Sequence, residues 1–248
     1  MKKQSIIFLG SKEIGFKCFE YLIAQKDKLD FDIKGLLTNE NNTFQAKNSL
    51  IELAKKHDIS IYNSLNEIDE VDYIYSVQYH KILKQNEIEK AKKLAINLHM
   101  APLPEYRGCN QFSFAILDNQ TEFGTTIHRI DSKIDHGEIL FERRFPIPQN
   151  CWVQDLYEKT FSESILLFQE TLQNIIQQNF ISTPQSSFEK SRKTHLHFRD
   201  EIKEIKEINL NWDKEKIERH IRATSMPGFE PPFAVLNNKK IYFSETWQ

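Results

Sequence analysis

The chain has 248 residues, a hydrophobic content of 40% and a formal net charge of −2 at pH 7. This length allows one well-buried domain plus a small appendage, and the hydrophobic content excludes a disordered chain. The near-neutral charge offers no general attraction to nucleic acid, so no nucleic-acid partner is expected, although a local basic patch stays open.

The cysteines and the N-terminus both favour a cytoplasmic protein. Cys18, Cys109 and Cys151 are odd in number and lack metal-ligand spacing, which suits a reducing compartment and a structural role. Residues 1–4 lead into a short apolar stretch ending at Gly10. That stretch is too short for a signal peptide, and no apolar span of membrane length follows. Neither a bound metal nor a membrane partner is expected.

The N-terminal part of the chain alternates short apolar runs with helical periods, which favours βαβ units and a mostly parallel sheet. Strands are predicted at residues 5–9, 31–37, 59–62, 71–77, 94–98 and 125–130, and helices at 15–25, 49–56, 85–93 and 111–117. A short run just after Gly137, at residues 137–141, is expected to pair near the last of these strands.

A long helical pattern follows at residues 153–177, with its apolar residues mainly on one face. Residues 181–200 turn polar and are interpreted as a linker. We therefore expect a larger N-terminal domain at residues 1–180 and a small C-terminal region at 201–248.

The C-terminal region is predicted to hold one helix and one β-hairpin. The helix spans residues 213–223, and the hairpin strands, 233–236 and 239–243, flank Asn237 and Asn238. Two asparagines between alternating apolar residues are typical of a tight hairpin turn.

Three polar residues form a candidate reaction centre. Asn97 and His99 are two apart, so on a strand both side chains leave by the same face. They end a buried parallel strand, which is where open α/β sheets bind ligands. Asp135 can fold back to hydrogen-bond the imidazole or an attacking group. An amide donor, an imidazole and a carboxylate are what acyl transfer to an amine requires.

Three spaced motifs resemble the formyltransferases that use 10-formyltetrahydrofolate, most strongly from about residue 73 to residue 140. The motifs are Asn97-Leu98-His99, the turn Pro104-Glu105-Tyr106-Arg107-Gly108, and the run Asp135-His136-Gly137-Glu138-Ile139-Leu140. The resemblance implies an α/β, Rossmann-like formyltransferase domain with a mostly parallel sheet, followed by the small C-terminal helix and hairpin.

The resemblance also implies roles for the polar residues. His99 would be the acid/base, because imidazole titrates near neutral pH. Asn97 would stabilise the oxyanion, a contribution of typically ~3–4 kcal/mol. Asp135 would orient His99 or accept its proton through a water, with Asp131 as the second-ranked carboxylate. The structural alternatives are a strand-end histidine, a capping asparagine and a turn aspartate.

A folate site is implied around the loop that follows the predicted strand 71–77. In the family the equivalent loop contacts the pterin mostly through backbone groups. The cofactor-binding residues implied here are Tyr79, His80, Lys81, Ile82, Leu83, Ile130 and Asp131. His128 and His136 have no counterpart in the motifs and are interpreted as bystanders.

The turn after the first strand is a candidate anion site. It is neither a dinucleotide fingerprint nor a Walker loop, yet it sets backbone N–H groups and a lysine at a strand-to-helix turn. Ser11 and Lys12 could contact a phosphate, or the turn could be a plain tight turn; both alternatives stay open. Arg107 could likewise reach a phosphate or brace the loop. The substrate-binding residues expected are Gly10, Ser11, Lys12, Met100, Pro102, Leu103, Tyr106, Arg107, Gly108, Asn110 and Gln111.

Two segments look like the sugar N-formyltransferases, namely residues 108–114 and 227–232. We therefore expect formyl transfer from 10-formyltetrahydrofolate to the amine of a dTDP-linked amino-dideoxyhexose, of the 4-amino-4,6-dideoxyglucose type, for O-antigen or another surface polysaccharide. The resemblance also implies a homodimer paired through the hairpin.

Other functions stay open. Methionyl-tRNA formyltransferases carry a sizeable β-barrel after the catalytic domain, where this chain has only residues 201–248. Glycinamide ribonucleotide enzymes begin with a glycine-rich loop, of which Gly10 and Gly15 remain. From another class, a non-catalytic protein that binds folate or a nucleotide sugar is the alternative.

Overall fold

The computed structural model describes residues 3–39, 47–188 and 190–243. Its described strands are, in chain order, β1 (Gln4–Gly10), β2 (Phe31–Thr38), β3 (Ile61–Tyr62), β4 (Val71–Val77), β5 (Ala91–His99), β6 (Tyr106–Gly108), β7 (Glu122–Arg129), β8 (Ile139–Pro146), β9 (His195–His197), β10 (Phe233–Leu236) and β11 (Lys239–Tyr242). Its described α-helices are α1 (Lys12–Gln25), α2 (Leu50–Lys56), α3 (Gln85–Ile88), α4 (Gln111–Leu117), α5 (Val153–Ile176), α6 (Glu201–Ile205) and α7 (Lys214–Thr224). The predicted domain and linker ranges also include residues 1–2, 40–46, 189 and 244–248, which lie outside the described part of the chain.

One seven-stranded sheet organises the molecule, in the order β3-β2-β1-β4-β5-β7-β8. The five strands from β3 to β5 run parallel to one another. β7 and β8 are antiparallel to their neighbours. The prediction of a mostly parallel, Rossmann-like sheet is therefore confirmed, and so is a separate C-terminal hairpin of β10 and β11.

Both faces of this sheet are buried. Along β1, Ile6 and Phe8 join the larger cluster, which includes Phe168 of α5, whereas Ile7 and Leu9 join a second cluster. Alternate side chains of a strand point to opposite faces, so the two clusters lie on opposite sides of the sheet. Burial on both faces explains why these strands appear in the sequence as continuous apolar runs.

The predicted helix at residues 85–93 is wrong in its second half. α3 ends at Ile88, and β5 already begins at Ala91, which lies opposite Val71 of β4. Parallel pairing with β4 thus overrides the helical preference of the lysines at 92 and 93, which are exposed. Two elements are shifted, since α1 begins three residues early and β3 keeps only its last two residues. The C-terminal region, predicted to hold one helix, holds the short α6 before α7 among its described residues, and five residues are too few to show a helical period.

The segment interpreted as a linker, residues 181–200, packs against the larger N-terminal domain. Its strand β9 pairs in parallel with β6. The backbone oxygen of His197 also accepts a hydrogen bond from the N–H of Cys109, at 2.9 Å. Arg192 donates to the backbone oxygen of Leu103 at 2.9 Å. The domain division itself remains a prediction, but this segment braces the turn that follows β5.

The C-terminal hairpin turns at Asn237 and Asn238, with φ angles of +49° and +60°. Two successive left-handed residues are what a two-residue hairpin turn requires, and asparagine tolerates that conformation. Val235 and Ile241 stand half exposed on its strands. Pairing of two subunits through this hairpin remains a prediction. None of the helices in the described ranges is long and apolar enough to cross a membrane.

Gly137 is expected to tolerate no side chain. A Cβ atom added there would overlap the backbone oxygen of Arg129, and that oxygen belongs to backbone that cannot swing aside. Gly137→Ala should therefore lower the free energy of unfolding by ~1–3 kcal/mol, as overpacking typically does. Urea denaturation measures it, with Ser132→Ala, an exposed site in the same loop, as the control. Equal stability of the two variants would contradict this close approach.

Candidate active site

Asn97 and His99 lie at the C-terminal end of β5, at the point where the sheet changes from parallel to antiparallel pairing. Both side chains leave β5 on the same face, as their spacing predicts. The antiparallel register places His128 of β7 directly opposite Asn97, and Thr126 opposite His99. The strand end thus carries a polar pair from each of two neighbouring strands.

His99 is buried, with 5% of its surface exposed, and the backbone fixes its tautomer. Its Nε2 lies 2.7 Å from the backbone oxygen of Tyr106. A carbonyl oxygen only accepts hydrogen bonds, so Nε2 carries the hydrogen. The other ring nitrogen, Nδ1, lies 3.6 Å from Oδ2 of Asp135. Nδ1 is therefore the nitrogen that can take up and release a proton.

Asp135 lies in the loop between β7 and β8, in a left-handed conformation with φ of +45°. The loop is held in this shape by Gln185, whose Nε2 donates to the backbone oxygens of Asp135 and Gly137, at 2.8 and 2.9 Å. Oδ2 of Asp135 accepts the backbone N–H of Gly108 at 2.9 Å. Backbone strain at a carboxylate that faces two histidines is typical of a functional position.

The Asp135 carboxyl is ionised in spite of its burial. Burial by itself raises the pKa of this carboxyl, because it disfavours the charged form. The charge of His99, the hydrogen bond and charge of His128, and the Gly108 N–H outweigh burial. The net result is a pKa well below the ordinary value for aspartate, so the group is a fixed negative charge beside the two imidazoles.

The motifs predict that His128 is a bystander, which is wrong, because the structure places it within the cluster. Its Nδ1 donates to the backbone oxygen of Arg129, at 2.7 Å. Its Nε2 lies 3.2 Å from Nδ2 of Asn97 and 3.4 Å from Oδ1 of Asp135. His128 therefore links the amide and the carboxylate. The signal that reveals it is the antiparallel register of β5 and β7, which no local pattern displays.

Asp131, the second-ranked carboxylate, is engaged elsewhere. Its Oδ2 pairs with Nδ1 of His136 at 2.7 Å, and its Oδ1 accepts the backbone N–H of Lys133 at 2.9 Å. Neither contact involves His99. The cluster is thus built around Asp135, and Asp131 belongs with the residues implied for the folate.

Three of the residues implied for the folate come together on the face of the second cluster. Tyr79 and Ile130 pack against it, and Leu83 is part of it. The loop of Tyr79 follows β4, whereas Ile130 follows β7 and donates its backbone N–H to Ala95 of β5 at 2.8 Å. Burial and the neighbouring Lys81 charge lower the pKa of His80. Ile82 and Lys81 are exposed at the rim of this loop.

A cavity of about 540 Å³ opens beside His99. The predicted substrate-binding residues that line it are Lys12, Met100, Gly108, Asn110 and Gln111. The remaining predicted residues do not line it. Pro102, Leu103 and Tyr106 are buried beneath the turn, where the Tyr106 hydroxyl donates to Asp118 at 2.8 Å. Because these three side chains are buried, they would support the turn that contacts the substrate and would not contact the substrate themselves.

Three further predicted substrate-binding residues lie close to the cavity without lining it. Gly10 ends β1, and the Ser11 hydroxyl is buried without a hydrogen-bond partner among the described residues. The Nε atom of Arg107 is likewise buried and unpaired within the described ranges. These side chains keep both alternatives open, namely contact with phosphate and support of the backbone.

Residues outside the predicted substrate-binding set also line the cavity. They include Arg199 and Lys206 from the two ends of α6, Phe112 and Tyr157 from α4 and α5, and Phe229 from the loop after α7. The segment around α6 reaches this cavity because the preceding strand, β9, pairs with β6. Across residues 3–39, 47–188 and 190–243, no group of three histidine, cysteine or carboxylate side chains could hold a metal ion.

Known proteins share this fold and sequence. Residues 19–172 match the family model for formyl transferase. The bifunctional polymyxin resistance protein ArnA of Wigglesworthia glossinidia brevipalpis is 28% identical over 250 residues, covering 95% of this chain and 36% of that protein. GDP-perosamine N-formyltransferase of Brucella melitensis is 27% identical over 174 residues, covering 69% and 63%. Methionyl-tRNA formyltransferase of Lactobacillus gasseri is 27% identical over 235 residues, covering 88% and 72%.

Two crystal structures are also similar. One is WlaRD, a sugar 3N-formyl transferase, in the presence of dTDP and 5-N-formyl-THF; its TM-score is 0.80 at 27% identity, covering 96% of this chain and 85% of that chain. The other is an N-formyltransferase from Helicobacter canadensis in complex with folinic acid and dTDP-3-aminofucose. Its TM-score is 0.78 at 26% identity, covering 96% and 86%.

The match differs in extent between the relatives. The chain spans less than two thirds of the length of ArnA and of the Brucella enzyme. The family model, in contrast, matches well over half of this chain, and the matched part contains Asn97, His99 and Asp135. This protein therefore belongs to the formyl transferase family.

Proposed function

We propose that this protein transfers a formyl group from 10-formyltetrahydrofolate to the amine of a nucleotide-linked amino sugar. The observation that carries the proposal is the cluster of Asn97, His99 and Asp135, in which His99 lines the cavity. The cluster supplies a hydrogen-bond donor, a proton acceptor and a fixed negative charge within one site. Acyl transfer to an amine needs these three groups together.

His99 exchanges the proton. Because its Nε2–H is held by the Tyr106 carbonyl, the Nδ1 lone pair is directed toward the space beside Asp135. Nδ1 takes a proton from the attacking amine and can return it to the leaving nitrogen of the folate. The ionised Asp135 stabilises the imidazolium that forms between these two transfers, since opposite charges at this distance attract strongly in a buried site.

Asn97 stabilises the oxyanion. Its side-chain amide has two N–H groups, and the amide is positioned by His128, whose Nε2 lies 3.2 Å from Nδ2 of Asn97. The second N–H is then oriented for the formyl oxygen, whose charge grows as the carbon becomes tetrahedral. His128 is itself oriented by the Arg129 carbonyl, so the donor is fixed in place before the substrate arrives.

The loop after β4 fits the folate that this reaction needs. Tyr79, Leu83 and Ile130 provide an apolar surface for a flat ring, and exposed backbone of the same loop can contact its edge. In the similar structures WlaRD contains 5-N-formyl-THF and the Helicobacter canadensis enzyme contains folinic acid. We therefore assign 10-formyltetrahydrofolate to Tyr79, His80, Lys81, Ile82, Leu83, Ile130 and Asp131. When bound, it supplies the formyl group.

A dTDP-linked amino-dideoxyhexose of the 4-amino-4,6-dideoxyglucose type is the proposed acceptor. The two similar structures contain dTDP or dTDP-3-aminofucose, which supports the nucleotide, and the Brucella relative is named for GDP-perosamine. A role in O-antigen or other surface polysaccharide, a cytoplasmic location and a homodimer paired through the hairpin belong to the same proposal.

Turnover of 10-formyltetrahydrofolate with dTDP-linked 4-amino- and 3-amino-dideoxyhexoses tests the acceptor. We expect absorbance-monitored turnover with the 4-amino sugar. Turnover with the 3-amino sugar alone would show that the reacting amine is on C3 of the sugar and not on C4. Turnover with methionyl-tRNA or glycinamide ribonucleotide alone would replace the acceptor and keep the chemistry. Binding of folate without turnover on any acceptor would favour a non-catalytic folate-binding protein.

Removing the two central groups should abolish most turnover. Asn97→Ala removes the oxyanion donor and should lower kcat by ~100- to 1,000-fold. His99→Asn removes the proton acceptor and should lower kcat by ~100- to 10,000-fold. His57→Asn, at an exposed histidine after α2, is the matched control and should keep kcat. Near-normal turnover of either active-site variant would refute the mechanism.

Asp135 should make stability depend on pH. Its pKa is lowered in the folded chain, whereas the unfolded chain protonates this carboxyl near ~3.9. As pH falls through that value the unfolded state binds the proton first, so stability is lost on the acid side. Between about pH 5 and pH 3, wild type should lose free energy of unfolding more steeply than Asp135→Asn. The extra slope is at most about 1.4 kcal/mol per pH unit.

Urea denaturation at several pH values measures this slope. Ser132→Ala, in the same loop, should follow the wild-type profile. Parallel profiles for wild type and Asp135→Asn would show that the carboxyl has an ordinary pKa in the folded chain.

A further inference from the structure

Three cationic side chains from two separate segments line the cavity beside His99. Lys12 is the first residue of α1, whereas Arg199 and Lys206 stand before and after the short helix α6. All three lie outside residues 19–172, the part of the chain that matches the formyl transferase model. The reaction centre thus lies within the matched residues, and the three cations lie outside them.

None of the three cations has a carboxylate partner in the described part of the chain. The Lys12 ammonium donates to the side-chain oxygen of Gln78, at 3.2 Å. Lys206 donates to the backbone oxygen of Glu230, at 2.6 Å. The Glu230 carboxylate itself pairs with Lys240, at 2.9 Å. For Arg199, no carboxylate of the described ranges lies within ion-pair distance.

Burial makes the positive charges of Lys12 and Lys206 energetically unfavourable while no anion is bound. Burial, and next the charge of Arg199, lower the pKa of Lys12. Burial also lowers the pKa of Lys206, which is 7% exposed. The Glu230 charge partly offsets this, and Lys240 adds to it. Lys206 is thus a buried positive charge whose ammonium donates to a neutral backbone oxygen, and groups whose pKa is shifted by burial cluster at functional sites.

We propose that Arg199 and Lys206, together with Lys12, bind the diphosphate of the nucleotide-linked acceptor. The inference rests on the proposed function. His99 and the three cations line the same cavity of about 540 Å³. An amino sugar whose amine lies at His99 therefore has its diphosphate in the cavity that the cations line. Arginine and lysine are the side chains best suited to phosphate oxygens, with arginine able to donate two parallel hydrogen bonds.

The proposal gives α6 and its flanks a role in choosing the acceptor. Residues 199–206 reach the cavity because β9 pairs with β6 and because Asn110 donates to the backbone oxygens of Phe198 and Arg199, at 2.9 and 3.2 Å. A segment held by these contacts is ordered before substrate binds. The cost of ordering the cationic side chains on binding is correspondingly smaller.

Calorimetric binding of dTDP, inorganic pyrophosphate and 5-formyltetrahydrofolate to the full chain tests the proposal. Arg199→Gln should raise Kd for dTDP and for pyrophosphate by ~10- to 100-fold, the loss of one charged hydrogen-bonding group. Kd for the folate should stay within about twofold of wild type. The Arg199 side chain is exposed, so this variant is expected to fold. Lys206→Gln should have the same effect where a thermal melt shows it folded.

Lys203→Gln is the matched control. Lys203 lies on α6 itself, is 76% exposed, and pairs with Asp200 at 2.7 Å. Its substitution removes one positive charge from the same helix without touching the cavity. Kd for all three ligands should remain that of wild type.

The outcomes separate this inference from the proposed function. Unchanged dTDP binding in Arg199→Gln, or weak dTDP binding by wild type, would overturn the cationic site. A raised Kd for the folate alone would overturn it as well, since the cations would then hold the carboxylates of the folate tail. Loss of diphosphate binding in a protein that transfers no formyl group to any acceptor would support the cationic site and refute the proposed function.

Discussion

The antiparallel pairing of β7 with β5 is the constraint on which the site depends. A purely parallel continuation of the sheet would have carried the chain away from the end of β5. The reversal instead sets His128 opposite Asn97 and returns the following loop to the strand end. Asp135 then meets both histidines from that loop. The polar cluster exists because one strand runs against its neighbour.

The cluster is stable because its buried charge is surrounded by groups that compensate it. An ionised carboxylate is unfavourable in a buried position unless hydrogen bonds and opposite charge hold it there. Asp135 has the Gly108 N–H on one oxygen and two imidazoles within reach. The backbone around it is left-handed and is fixed by Gln185. The same contacts that keep the charge buried also orient the groups that would react.

Local patterns predicted much of this protein, and their failures share a cause. The spacing of Asn97 and His99 gave the correct face of a strand, and the apolar alternation gave most elements within a few residues. The helix expected at 85–93 failed where a neighbouring strand recruited its second half. His128 was missed because its partners are distant in sequence. Residues 181–200 looked like a polar linker because a short strand paired with a turn leaves no apolar period.

The sequence by itself determined the alternation of strands and helices, the position of the polar pair at a strand end and the membership of a formyl transferase family. These properties follow from side-chain periodicity and from motifs of a few adjacent residues. Only the tertiary structure decided which nitrogen of His99 is available, that His128 joins the cluster, and that Arg199 and Lys206 face the same cavity as Lys12. The physical reason is that tautomer, charge and pocket shape depend on contacts between segments far apart in the chain.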